Sequence, residues 1–363
     1  MVKMKNEETI TIDRLKLNRD PYLNTRVRVM SSKLIAKDQY HRLMKMTSAE
    51  ISHFLEEGEY KKQIDEFAVR HTGADLIEVA LNDNASECFQ KVIYLSKGDT
   101  KELIQKYLLR IDIANMKTIL RNIGSDMPED EIALRLMSGC NIKKKNLLKL
   151  LKKKTISDLV EDPMFQNILP HAKSSIPKPD GDNLNLASVE NWLDINYYRY
   201  LMGIADNLPK HASEFKTFLR NEIDILNINT LLIMKKEGLE QKEIMPLLIQ
   251  PAADISLPVL ESVAQAKDIE GALDILIDKT SYSDEIKSGK EEALKGSLKV
   301  IRRGLDRRLM KKAYLLLHKH PLTIAPVLGY ILAKEVEVRN LKLISRAKSL
   351  NLPEKFIEEN LIL

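Results

Sequence analysis

Glycine is scarce in this chain, with 13 in 363 residues, about half the usual frequency of roughly 7%. Few glycines mean few tight turns, which argues against many short strands and for long helices. Aromatic residues make up only 5%, low for a β-sandwich and for a platform on which bases stack. The two cysteines, Cys88 and Cys140, form no CxxC pair. That argues against a zinc site and for a reducing compartment. The longest clearly apolar stretch, Ala325 to Ala333, is far short of the roughly 20 residues of a membrane helix. The N-terminal MVKMKNEETITID has no apolar signal core, so the expected protein is soluble or reaches a membrane through protein contacts. A net charge of +5 is mild for this length, whereas a dedicated nucleic-acid binder concentrates more.

What is present is helical periodicity, expected from Ser31 onward. Thr47-Ser48-Ala49-Glu50 reads as a capping box, with Ile51, Phe54 and Leu55 on one face and Gly58 as a stop. Asp99-Thr100-Lys101-Glu102 is expected to open another helix in the same way. Pro170 to Ser188 reads as a linker because proline and glycine do not sustain a helix, with Ser188 the expected N-cap of the next one. Smaller breaks fall near Pro251 to Pro258 and at His320-Pro321.

The most informative pattern is internal. Asp112-Ile113-Ala114-Asn115-Met116, Asp224-Ile225-Leu226-Asn227-Ile228 and Glu337-Val338-Arg339-Asn340-Leu341 share one frame: acid, β-branched aliphatic, any residue, asparagine, large aliphatic. Aliphatic residues stand four before and four after each asparagine, so each amide sits inside an apolar helical stripe. A buried amide costs a few kcal/mol unless hydrogen-bonded, so three copies imply one repeated structural solution. The acids are expected on a neighbouring face, toward a partner helix. The asparagines are 112 and then 113 residues apart, which implies three copies of one helical unit. The third copy begins too late to be complete. Circular closure resolves this: the C-terminal helix joins the N-terminal segment. The expected units are 1–98 plus 324–363, 99–210 and 211–323, in an all-α, pseudo-threefold arrangement.

No catalytic, cofactor or metal motif emerges. Ser288-Gly289-Lys290-Glu291 lacks the first glycine and the Ser/Thr of a phosphate loop, and Glu291 would repel phosphate. His318 and His320, two apart, point to different helix faces, and no HExxH or G-x-S-x-G string occurs. The run from Lys143 to Lys154, including Lys149 and Lys152, reads as an amphipathic helix with a solvated basic face, or as a contact for an acidic partner or lipid headgroups. A second basic stretch holds Arg302, Arg303, Arg307 and Arg308.

Several strings carry a family resemblance: Tyr22-Leu23-Asn24-Thr25-Arg26-Val27-Arg28-Val29-Met30, Lys106-Tyr107-Leu108 running into Asp112 to Lys117, Asp224 to Leu232, and Lys334 to Leu341. They resemble the rotary-ATPase family made up of the A-type ATP synthase C subunit and the V-type ATPase d subunit, over nearly the whole chain. The resemblance implies a funnel of three similar helical domains on the cytoplasmic face of the membrane, peripheral and non-catalytic. It would sit on the proteolipid ring and receive the D–F rotor shaft, serving the A/B catalytic head indirectly. It implies no cofactor and no nucleic acid. Arg26 and Arg28 fall in a matching string and either grip a partner or brace the core, with bracing the expectation. The alternative is a helical scaffold whose basic helices, with Lys149, Lys152, Arg303 and Arg307, bind nucleic acid or other acidic partners.

Overall fold

The computed structural model describes the chain except residues 1–14, 16, 18, 124, 126, 140–141, 178–185, 251–253 and 319–321. The described residues form helices and no strand, so the fold is all-α. Cys140, Pro251 and His320-Pro321 lie outside the described residues.

Six long helices dominate, as three consecutive pairs: Gly73–Leu95 with Gly98–Asn122, Leu186–Asp206 with Ser213–Lys236, and Lys299–His318 with Ala325–Ser349. The first members begin 113 residues apart each time, close to the 112 and 113 of the asparagines. The second members carry the Asn strings and are called here the first, second and third repeat helices. Each long helix packs on the next in chain order, and the third repeat helix packs back on Gly73–Leu95, so the contacts form a closed circuit. Short helices fill the intervals. Apolar side chains gather in two contiguous clusters. One joins the N-terminal segment, the C-terminal segment and the chain through Ile223; the other runs from Ile225 to Leu305.

Local chemistry explains several boundaries. Thr47 caps its helix reciprocally with Glu50, whose carboxylate accepts from Thr47 N–H at 2.7 Å. Helix begins earlier than the periodicity suggested, at Pro21–Ser31. There Asp20 accepts from Leu23 N–H at 2.9 Å and Pro21 supplies a preset φ. The first repeat helix begins at Gly98 rather than Asp99, because Gly98 takes φ +49° and turns the chain sharply out of the preceding helix. The expected linker is partly packed: residues Pro170–Ser175 form a 3₁₀ turn, and Trp192 Nε1 donates to Ser175 Oγ at 3.1 Å. Helix resumes at Leu186, which puts Ser188 inside it rather than at its cap.

Glycine is used here for close approach. A Cβ on Gly329 would lie 2.7 Å from Leu317 N and 2.9 Å from Ala313 O, on the backbone of the neighbouring long helix. Gly329→Ala must push the third repeat helix off Lys299–His318, at a cost of about 1–3 kcal/mol. Thermal denaturation checks this, and an unchanged melting temperature would show that the two helices have slack. Gly289 has a similar role. It lies in the middle of the Ser283–Leu294 helix, where a Cβ would fall 2.8 Å from Ile301 N, so the string around it is a packing contact and not a phosphate loop.

Candidate functional site

The three repeat asparagines make the same two bonds. Asn115 donates to Met137 O at 2.7 Å and accepts from Met137 N–H at 3.1 Å. Asn227 pairs with Ile249 at 2.7 and 2.9 Å, and Asn340 with Ile362 at 2.8 and 3.1 Å. The partner is always 22 residues further on. Each amide thus mimics a strand neighbour, clamping the return segment to its repeat helix while satisfying one buried N–H and one buried C=O.

The acids three residues earlier are buried too. They accept backbone N–H groups. Asp112 takes Ile142 N–H at 3.3 Å and Asp224 takes Asp254 N–H at 2.8 Å, each 30 residues on. Glu337 accepts Ile35 N–H at 2.5 Å. Tyr60 donates to the same carboxylate, and Lys334 lies 2.8 Å from it. Tyr282 repeats the tyrosine contact on Asp224 at 3.3 Å. Burial and then the Glu337 charge push the Tyr60 phenol up, keeping it a neutral donor. Lys334 and Glu337 are each 3% exposed, a buried ion pair sustained by these extra bonds.

A further set occupies one frame position, five residues before each asparagine: Arg110, Glu222 and Glu335. Arg110 meets both carboxylates, at 2.7 Å to Glu222 and 3.8 Å to Glu335. Equivalent points on the three repeat helices therefore converge in one ionic triad. Arg110 also lies 5.1 Å from the Tyr107 ring, and Tyr107 in turn packs edge-on against Phe215. Two carboxylates share one guanidinium, and Glu222 Oε2 is buried without a hydrogen-bond partner among the described residues. Burial pushes the Glu335 carboxyl up, Arg110 opposes this, and Glu222 adds to it. A cavity of about 310 Å³ between the first and third repeat helices reaches Arg110 and Glu335.

The raised Glu335 carboxyl couples stability to pH. The native state holds its proton more tightly than the unfolded chain does, so its stabilising effect is full below the usual glutamate range near 4.5. It is lost as pH rises through the native value. Glu335→Gln should therefore gain stability relative to the parent as pH goes from 5 to 8 in urea titrations. A gap that narrows with rising pH would mean that attraction to Arg110 outweighs burial.

The basic residues singled out in the sequence fall in different places. Arg26 and Arg28 are exposed on Pro21–Ser31, so they do not brace the core as expected. Lys149 and Lys152 are exposed, the helix there being only Lys144–Leu150, with Leu147 and Leu150 buried. Arg303 and the exposed Arg307 bond at the surface to the C-terminal segment, donating to Glu359 O and, at 3.2 Å, to Leu361 O. Among the described residues no cluster of His, Cys, Asp or Glu has a metal-binding arrangement. The sequence reading missed the triad, although its signal was the same repeat frame read five residues upstream.

A family model described as ATP synthase (C/AC39) subunit matches residues 23–360. Relatives known as the C subunit of A-type ATP synthase are similar end to end. The one from Methanococcoides burtonii is 34% identical over 343 residues, covering 94% of each chain. That from Methanosarcina acetivorans is also 34% identical, over 94% of this chain and 92% of its own. That from Halorubrum lacusprofundi is 29% identical over 94% of this chain and 97% of its own. With the closed helical circuit and its three Asn clamps in place along the same span, the chain belongs to the ATP synthase (C/AC39) subunit family.

Proposed function

We propose that this protein is the central-stalk socket of an A-type ATP synthase, a structural and non-catalytic subunit that passes torque between the proteolipid ring and the D–F rotor shaft. The observation that carries this reading is the end-to-end similarity to relatives named as the C subunit of A-type ATP synthase. The physical character of the chain supports it. Torque transfer needs a body that does not yield, and here long helices close a circuit in which buried asparagine clamps and an ionic triad tie remote segments together. The three units 1–98 plus 324–363, 99–210 and 211–323 form a pseudo-threefold funnel in this reading. It sits peripherally on the cytoplasmic face, in contact with the membrane only through partners. Among the described residues no helix is long and apolar enough to cross a membrane.

The test is retention of the purified chain by D–F shaft and, separately, by proteolipid rings in detergent. Retention by both is expected. Retention by neither, with the helical fold intact by circular dichroism, would overturn the socket reading.

A further inference from the structure

A recess of about 680 Å³ opens between Pro21–Ser31, Gly73–Leu95 and the third repeat helix. Its apolar lining includes Val29, Met30, Leu34 and Tyr330. Its cations are Arg26, Lys33, Lys62, Lys91 and Lys334, against two carboxylates, Glu59 and Glu87. Three of the five are already neutralised, Lys33 by Glu59, Lys62 by Glu87 and Lys334 by Glu337. Arg26 and Lys91, on the first and second of those helices, carry no ion pair among the described residues.

The walls continue this chemistry outward. Tyr22, Arg26 and Val29 lie along one helical stripe, with Tyr22 61% and Val29 51% exposed. On the other wall Tyr94, three residues beyond Lys91, is 84% exposed. Large apolar side chains held open beside unpaired cations mark a surface that another molecule covers.

We propose that this groove docks an acidic segment of another subunit of the assembly, its carboxylates meeting Arg26 and Lys91 and its apolar side chains covering Val29 and Tyr22. The partner's placement in the same assembly rests on the socket reading above. A protein segment fits better than a bilayer because the cations line a recess between helices, which an inserted side chain reaches and a flat lipid surface does not. The groove explains why Arg26 is exposed although the helix that bears it packs along the third repeat helix.

Cys88 lies in the groove and reports on it. In a Cys140→Ser background, the free chain and the assembled ATP synthase are treated with a maleimide, and the Cys88 labelling rates are compared. Thiol reactivity depends on access, and we expect labelling slower by about tenfold or more in the complex. Carbodiimide treatment of the complex should then join Lys91 to an aspartate or glutamate of another subunit, located by mass spectrometry. Arg26→Glu with Lys91→Glu should restore fast labelling and abolish that cross-link while helicity is unchanged. Equal labelling in free chain and complex overturns the proposal and leaves the socket reading standing. So does protection only by phosphatidylglycerol vesicles, or coupling of Lys91 only within its own chain. Failure of the parent chain to assemble overturns the socket reading, and the groove proposal falls with it.

Discussion

Arg110→Met should lower the stability of the protein by about 2–4 kcal/mol. Removing one member of a buried ion pair typically costs about 3–5 kcal/mol, because the remaining charge has lost its partner and has no water to replace it. Here two carboxylates are left facing each other. The side chains of Arg110 and Glu335 retain 24% and 26% of their exposure, so some solvent screening remains and the lower part of the range applies. Glu222 is the more severe problem: its side chain is 5% exposed and one of its oxygens already lacks a partner among the described residues. Adding Glu222→Gln and Glu335→Gln to Arg110→Met should recover much of the loss. A double-mutant cycle in urea separates the interaction from the individual effects. If Arg110→Met melts like the parent, the triad does not tie the repeat helices together. If the added substitutions restore nothing, the damage comes from lost packing of the guanidinium on Tyr107.

Asn227→Leu should be of similar size, about 3–5 kcal/mol, because it strands two backbone groups at once. Leucine has the same branched heavy-atom framework as asparagine and is bulkier, so no cavity opens. What is lost is the pair of bonds to Ile249 N–H and C=O, and each unsatisfied buried group costs about 1–3 kcal/mol. The three clamps should rank by burial. Both bonds of Asn227 and of Asn340 are buried, and both side chains are about 1% exposed, whereas the Asn115 bonds are partly buried. Asn227→Leu and Asn340→Leu should therefore exceed Asn115→Leu in denaturant titrations. Hydrogen exchange at Ile249 and Ile362 should quicken in the matching variant. Shaft binding, measured per folded molecule, should change little. Intact stability with lost shaft binding would make these asparagines part of an interface instead.

Much of this fold is legible in the residues, for local reasons. Helix dominance follows from scarce glycine and apolar periodicity, and the start at Thr47 from a hydroxyl and a carboxylate three residues apart. The Asp20-Pro21 start was equally present, but the helix that follows is half exposed and its periodicity is weak. The asparagines were readable as buried because aliphatic residues flank each at four-residue spacing. Their recurrence at near-equal spacing also marked the three helices on which equivalent clamps are found.

The sequence by itself determined, then, that the chain is all-α, internally repeated and built around three amides that must be satisfied. Only the tertiary structure decided how. The amides bond to backbone, which carries no residue-specific signal, so the partner 22 residues away was invisible in the pattern. Arg110, Glu222 and Glu335 shared a frame position from the start, but their meeting depends on which helical face turns inward. That is decided by packing between segments more than 100 residues apart. The cations of the open groove were equally indistinguishable in sequence from those spent on carboxylates. Ion pairing across helices depends on approach distances that exist only once the circuit has closed.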